Sequence, residues 1–163
     1  MSETLHTAYL LLGGNLGNRE RNLASARAAL AATGTVEALS PIFETEAWGL
    51  REQPAFLNQA LALRTALGPE ALLDAMLRIE QEEGRVRAER YGPRTLDIDL
   101  LFYDDAVIDT PRLVVPHPQL PARRFALVCL AAIAPGLRHP LLGSTIADLL
   151  AACADETPVY KFS

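Results

Sequence analysis

Apolar positions recur along this chain with two periods, every second residue in some runs and every third or fourth in others, and turn residues separate the runs. Ala8 to Leu12 is a short apolar run followed by Gly13 and Gly14, which predicts a buried first strand. Gly13 to Asn18 should then turn the chain. A glycine turn between strand and helix can bind phosphate, but this one has neither the GxGxxG nor the Walker A spacing, so a tight structural turn is the preferred reading. Asn18 is placed to cap a helix whose buried side carries Leu23, Ala26 and Leu30, with Gly34 closing it. Val36 to Glu44 reads as a second strand that Pro41 confines to an edge or an irregular position.

Thr45 to Pro54 is polar and turn-rich, contains the single tryptophan Trp48, and reads as a functional loop. Phe56 to Thr65 predicts a third strand with Phe56, Asn58, Ala60 and Ala62 on one face and Leu57, Leu61 and Leu63 on the other. Phe56 and Asn58 together offer a ring to stack on and an amide that both donates and accepts, as a flat heterocycle requires. The same pair is also common as simple packing at a strand end. Pro69 opens a second helix, to about Glu83, with Leu72, Leu73, Met76 and Ile79 inward and Gly84 at its end.

Gly84 to Phe102 combines charge and apolar alternation most densely. Arg85, Arg87, Arg90 and Arg94 precede a strand carrying Asp97 and Asp99 on one face, with Leu96, Ile98, Leu100 and Phe102 expected on the core face. Two carboxylates so close repel unless a cation lies between them. An arginine loop beside such a pair suits a polyphosphate bridged by metal, although Asp-x-Asp also describes solvated surface aspartates and arginine runs are often simply solvated. Beyond it come a turn at Asp104-Asp105, a small hairpin through Val107 and Ile108, and an extended segment from Arg112 to Pro118. Two helices complete the chain, one from about Ala122 to Ile133 and one from Thr145, paired with Asp148 in a capping box, to about Cys153. The order strand, helix, strand, strand, helix, strand predicts an α+β, ferredoxin-like antiparallel sheet with helices on one face and additional C-terminal helices.

Composition narrows this further. The 163 residues suit one domain spanning 1–163, half of them are hydrophobic, and the net charge is −5 with a pI near 5.2, which disfavours general nucleic-acid binding. Lys161 is the only lysine, so any phosphate grip must come from guanidinium groups. Cys129 and Cys153 read as free thiols in helices. The first residues show no signal-peptide pattern and no apolar run is long enough to span a bilayer, so a cytoplasmic protein without a membrane partner is expected.

Taken together, Arg90-Tyr91-Gly92-Pro93-Arg94-Thr95-Leu96-Asp97-Ile98-Asp99, Thr45 through Gly49, Gln53-Pro54 with Phe56-Leu57-Asn58, Gly84 to Arg87, and Val115-Pro116-His117 with Arg123 and Phe125 resemble the 6-hydroxymethyl-7,8-dihydropterin pyrophosphokinases of folate biosynthesis. The resemblance implies a ferredoxin-like enzyme that transfers diphosphate from ATP to the pterin hydroxymethyl group and releases AMP; separately, a monomer is expected. It implies that Asp97 and Asp99 bind two Mg2+ ions, with Arg85 and Arg94 also catalytic. It assigns Thr45, Trp48, Phe56, Asn58 and Phe125 to the pterin, and Glu80, Arg87, Arg94, Leu100, Arg112, His117 and Arg123 to ATP. Departures from the family pattern are Tyr91 for the usual tryptophan, Ala47 for a common proline, a two-residue spacing between Arg87 and Arg90, and Pro118 where a polar residue can touch ATP. Competing readings are a non-catalytic ferredoxin-like binding module, which leaves Asp97 and Asp99 unexplained, and an Mg2+-dependent ATP transferase with another acceptor.

Overall fold

The computed structural model describes residues 4–46, 54–83 and 95–162. Its strands and helices are β1 His6–Gly14, α1 Arg19–Ala31, β2 Thr35–Leu39, β3 Phe43–Thr45, β4 Phe56–Thr65, α2 Pro69–Glu82, β5 Asp97–Tyr103, β6 Ile108–Asp109, β7 Val114–Val115, α3 Arg124–Ala131, α4 Ile146–Ala152 and β8 Tyr160–Lys161. The main sheet runs β5-β1-β4-β3-β8, with β2 also paired to β4, and all these pairings are antiparallel. Counting β2 and β3 as one interrupted strand, this is the ferredoxin-like order expected from the alternation of elements.

Alternation along the strands buries both faces. Leu10, Leu12, Leu57, Leu61, Leu63, Ile98 and Leu100 pack with Leu23, Ala26 and Leu30 of α1 and Leu72, Met76 and Ile79 of α2. Leu11, Ala60, Leu101 and Phe102 pack instead with Ala126, Leu127 and Leu130 of α3 and Ile146 of α4. Phe102 therefore lies on the face opposite to the one its spacing predicts. The register of β1 against β5 slips between Tyr9 and Leu10, so Leu101 is an extra residue and the alternation inverts beyond it. Asp97, Ile98 and Asp99 precede this bulge and keep the predicted alternation.

Other local differences have physical causes. Gly13 and Gly14 remain in β1, and the turn begins after them, with Gly17 at φ 66°. Pro41 lacks an N–H and splits the expected Val36–Glu44 strand into β2 and β3. The first helix ends at Ala31 with an αR cap at Ala32, so Gly34 does not close it. Gly34 instead lies against β4, where a Cβ would come 2.2 Å from the Arg64 carbonyl oxygen. Gly34→Ala should cost about 1–3 kcal/mol of stability through overpacking, read as a lower thermal midpoint, with activity per folded molecule retained. An unchanged midpoint would show that the backbone shifts freely there.

The hairpin forms between Ile108–Asp109 and Val114–Val115, leaving Val107 outside it. The third helix is shorter than its pattern suggests, because extended backbone at Arg123 separates a 3₁₀ turn, Leu120–Ala122, from α3. Asn18 and Thr145 cap α1 and α4 through their side chains, accepting from the N–H groups of Arg21 and Asp148. No helix among the described residues is long and apolar enough to cross a membrane.

Candidate active site

The carboxylate pair sits at the start of β5, the edge strand of the sheet. Its register against β1 places Asp97 opposite Gly13 and Asp99 opposite Leu11, so both side chains leave the sheet on the face that α3 covers. Both aspartates are partly exposed, and the Asp99 side chain retains 37% of its surface. Between them, the Ile98 N–H donates to the Glu80 carboxylate at 2.7 Å. Glu80 is buried at the end of α2, and this bond ties that helix to the strand bearing both aspartates.

Gly13 is opposite Asp97 on β5 and opposite Asn58 on β4. Asn58, Gly13 and Asp97 therefore form one row across three adjacent strands, spanning roughly 10 Å at a strand spacing of about 4.8 Å. A Cβ at Gly13 would approach the Asn58 Oδ1 to 3.1 Å, so glycine keeps the middle of this row open. Reading Gly13 as part of a turn misses this placement. It is not visible in a local motif, because it arises from the residues that two other strands bring alongside.

At the far end of the row, the Asn58 Nδ2 donates to the Thr45 Oγ1 at 3.1 Å, and Thr45 pairs with Phe56 across β3 and β4. Asn58 and Thr45 are both buried. Phe125 enters the same side from α3, with the Arg123 guanidinium 5.9 Å from its ring centroid. The Asp155 carboxylate accepts from the Arg124 N–H and steadies the first turn of α3, which has no side-chain cap of its own. Hydrogen bonds from the Thr157 hydroxyl and N–H, supplemented by Arg124, hold the Asp155 carboxyl below its ordinary pKa. Thr45, Phe56, Asn58 and Phe125, which the family resemblance assigns to the acceptor, are thus brought to one side of the sheet.

A cleft of about 250 Å³ opens on the other side of the carboxylates, lined by Leu73, Met76, Ile98, Asp99, Leu100 and residues Arg112 to Val114, His117 and Pro118. The His117 N–H donates to the Leu101 carbonyl, which pins this extended segment beside β5 at the bulge. His117 Nε2 lies 3.8 Å from Asp99 Oδ1, and its Nδ1 accepts from the Gln119 N–H. That acceptor role places the proton of the neutral ring on Nε2, toward Asp99. Burial pushes the His117 pKa down, Asp99 opposes this shift, and Arg123 adds to it. Arg112 reaches Glu70 at 2.9 Å and Asp74 at 2.6 Å, so its exposed guanidinium is held at the rim by α2.

The entry to the acceptor side is fastened at both stems of the loop between β3 and β4. Arg19 Nη1 donates to Glu44 Oε2 at 2.7 Å and to the Ala55 carbonyl at 2.9 Å, while the buried Asn15 donates to the Pro54 carbonyl. Trp48, Arg85, Arg87 and Arg94 lie outside the described residues. Among the described residues, no group of three or more His, Cys, Asp or Glu side chains could hold a metal ion. Asp97 and Asp99 bring two carboxylates to one face of β5 and could hold a divalent cation whose further ligands are water or substrate oxygens.

A family described as 7,8-dihydro-6-hydroxymethylpterin-pyrophosphokinase matches residues 9–135. A Synechocystis sp. protein named 2-amino-4-hydroxy-6-hydroxymethyldihydropteridine pyrophosphokinase is 46% identical over 147 residues, covering 89% of this chain and 75% of that protein. A Pseudomonas aeruginosa protein of the same name is 44% identical over 155 residues, covering 93% and 94%. A crystal structure of Plasmodium falciparum HPPK-DHPS with pteroate is similar with a TM-score of 0.75 at 16% identity, which speaks for the fold alone; the match covers 93% of this chain and 43% of that longer one. The chain belongs to the 7,8-dihydro-6-hydroxymethylpterin-pyrophosphokinase family.

Proposed function

We propose that this protein transfers the terminal diphosphate of ATP to the hydroxymethyl group of 6-hydroxymethyl-7,8-dihydropterin, releasing AMP, in folate biosynthesis. Family membership supports this reading, and the observation that carries it is the Asn58–Gly13–Asp97 row, which leads from a buried amide and aromatic pocket to paired carboxylates. The acceptor hydroxyl oxygen forms a bond to the β-phosphorus, the bond from that phosphorus to the bridging oxygen breaks so that AMP leaves with that oxygen, and the hydroxyl proton passes to solvent. Thr45 and Asn58 orient the pterin edge, while Phe56 and Phe125 supply surfaces for its ring. Holding both reactants in line accounts for much of the rate, because there is no covalent enzyme intermediate to form.

Asp97 and Asp99 fit Mg2+, which commonly takes one or two carboxylates and fills its remaining positions with water and phosphate oxygens. Two Mg2+ ions bound there would neutralise phosphate charge and favour ionisation of the acceptor hydroxyl. Ile98 and Leu100 line the cleft for ATP, with the His117 Nε2–H beside Asp99 and with Arg112 at the rim, where phosphate oxygens would replace its bonds to Glu70 and Asp74. Glu80 supports that site by positioning β5. By the family resemblance, Trp48 contributes to the pterin site, Arg85 and Arg94 stabilise charge during transfer, and Arg87 and Arg123 contact ATP. The reading also carries the expectation of a one-domain cytoplasmic monomer without nucleic-acid or membrane partners.

The product nucleotide provides the decisive experiment. Incubation with ATP, Mg2+ and 6-hydroxymethyl-7,8-dihydropterin should yield AMP in a one-to-one ratio with pterin diphosphate. ADP as the product, or turnover independent of the pterin, would exclude diphosphate transfer to this acceptor.

A further inference from the structure

The strand before Thr45 slips twice against β4, once between Val36 and Ala38 and again between Leu39 and Phe43, and the second slip brings Thr45 to Asn58. Leu39 pairs with Leu61 and Phe43 with Asn58, so four steps along one strand match three along β4. Without that extra residue Thr45 would oppose Ala55 in place of Phe56, and its side chain would turn to the α1 and α2 face. The acceptor pocket therefore depends on what holds the extra residue at Ser40–Pro41.

Ser40 is buried and uses both its backbone and its side chain there. Its N–H donates to the Ala60 carbonyl at 2.9 Å, and its hydroxyl oxygen accepts from the Ala60 N–H at 3.0 Å while donating to the Pro41 carbonyl at 2.7 Å. The Ser40 carbonyl accepts from Gln59 Nε2 at 2.8 Å, and Gln59 Oε1 accepts from Arg27 Nη1 at 2.7 Å. Gln59 is buried on the same β4 face as Leu57, Leu61 and Leu63. A polar side chain in a row of leucines is costly unless its hydrogen bonds are met, and here both ends of the amide are engaged.

We propose that Gln59, held by Arg27 of α1, is a positioning residue that locks the β3 register and so builds the acceptor pocket on the opposite face of the sheet. Gln59 touches no substrate in this arrangement. It acts through the Ser40 carbonyl, the one-residue slip and the resulting Thr45–Asn58 bond. The inference rests on the proposed pterin acceptor only for its functional consequence, because the register is a property of the ligand-free chain.

Two variants separate the contributions. Gln59→Leu removes both amide bonds while matching the neighbouring leucines, and Gln59→Glu keeps an acceptor for Arg27 but loses the donor to Ser40. Both should weaken equilibrium binding of 6-hydroxymethyl-7,8-dihydropterin by about tenfold, the order expected for loss of a buried hydrogen bond, with ATP binding changed by less than about twofold. In NMR spectra of the ligand-free variants, cross-strand contacts between Thr45 and Phe56 should disappear while those between Leu39 and Leu61 persist. Retention of the Thr45–Phe56 contacts in a folded variant, or equal weakening of both ligands, overturns the proposal. If Gln59→Leu does not fold, Gln59→Glu decides by the same measurements, and Ser40→Ala, which removes only the hydroxyl, provides a milder third case. A wild-type protein that binds no pterin would refute the acceptor assignment, while the NMR contacts would still decide the register.

Discussion

Asp97→Asn and Asp99→Asn should each lower diphosphate transfer by on the order of 10³-fold, as expected when a group stabilising transition-state charge is removed. Asparagine keeps the size of the side chain and a carbonyl acceptor but removes the charge that would hold Mg2+. The aspartates are partly exposed at the start of an edge strand, so the substitutions should leave thermal stability nearly unchanged. Steady-state rates at saturating Mg2+ and both substrates, measured beside the thermal midpoint, give the test. A folded variant retaining more than about a tenth of wild-type turnover is inconsistent with an essential carboxylate pair.

Glu80 should give the next largest effect, and its size depends on the substitution. Glu80→Ala leaves the buried Ile98 N–H without this acceptor, at a cost of about 1–3 kcal/mol, and frees the segment between Asp97 and Asp99. The expected result is a fall in kcat of about tenfold to a hundredfold with a smaller change in pterin KM, since the acceptor pocket is built on β3 and β4. Glu80→Gln can still accept from the Ile98 N–H and should recover most of the loss. Equal losses in the two variants would assign the effect to the Glu80 charge, and an unchanged kcat in Glu80→Ala would remove the positioning role.

The legible part of the site lay where one stretch of chain carries both chemistry and geometry. Asp97 and Asp99 share a face simply by being two apart on a strand, and Phe56 and Asn58 do so for the same reason. The helix spacing of Leu23, Ala26 and Leu30 and of Leu72, Met76 and Ile79 likewise identified the buried sides of α1 and α2. Errors appeared where the backbone departs from its period. The inversion at Phe102 and the split at Pro41 come from inserted residues, whose accommodation depends on the partner strand. Gly34 was assigned to a helix end because its close neighbour, the Arg64 carbonyl, is thirty residues away in the chain.

The amino-acid sequence by itself determined the ferredoxin-like order of elements, the carboxylate pair and the family to which the chain belongs, because each is carried by spacing within short segments. Tertiary structure decided that Gly13 lies between Asn58 and Asp97 in one row, that Glu80 grips the strand between the aspartates, and that the Gln59 amide meets the Ser40 carbonyl and Arg27. Each of these roles depends on groups from separate elements meeting within a few ångströms, and that proximity is set by strand pairing and helix packing rather than by distance along the chain.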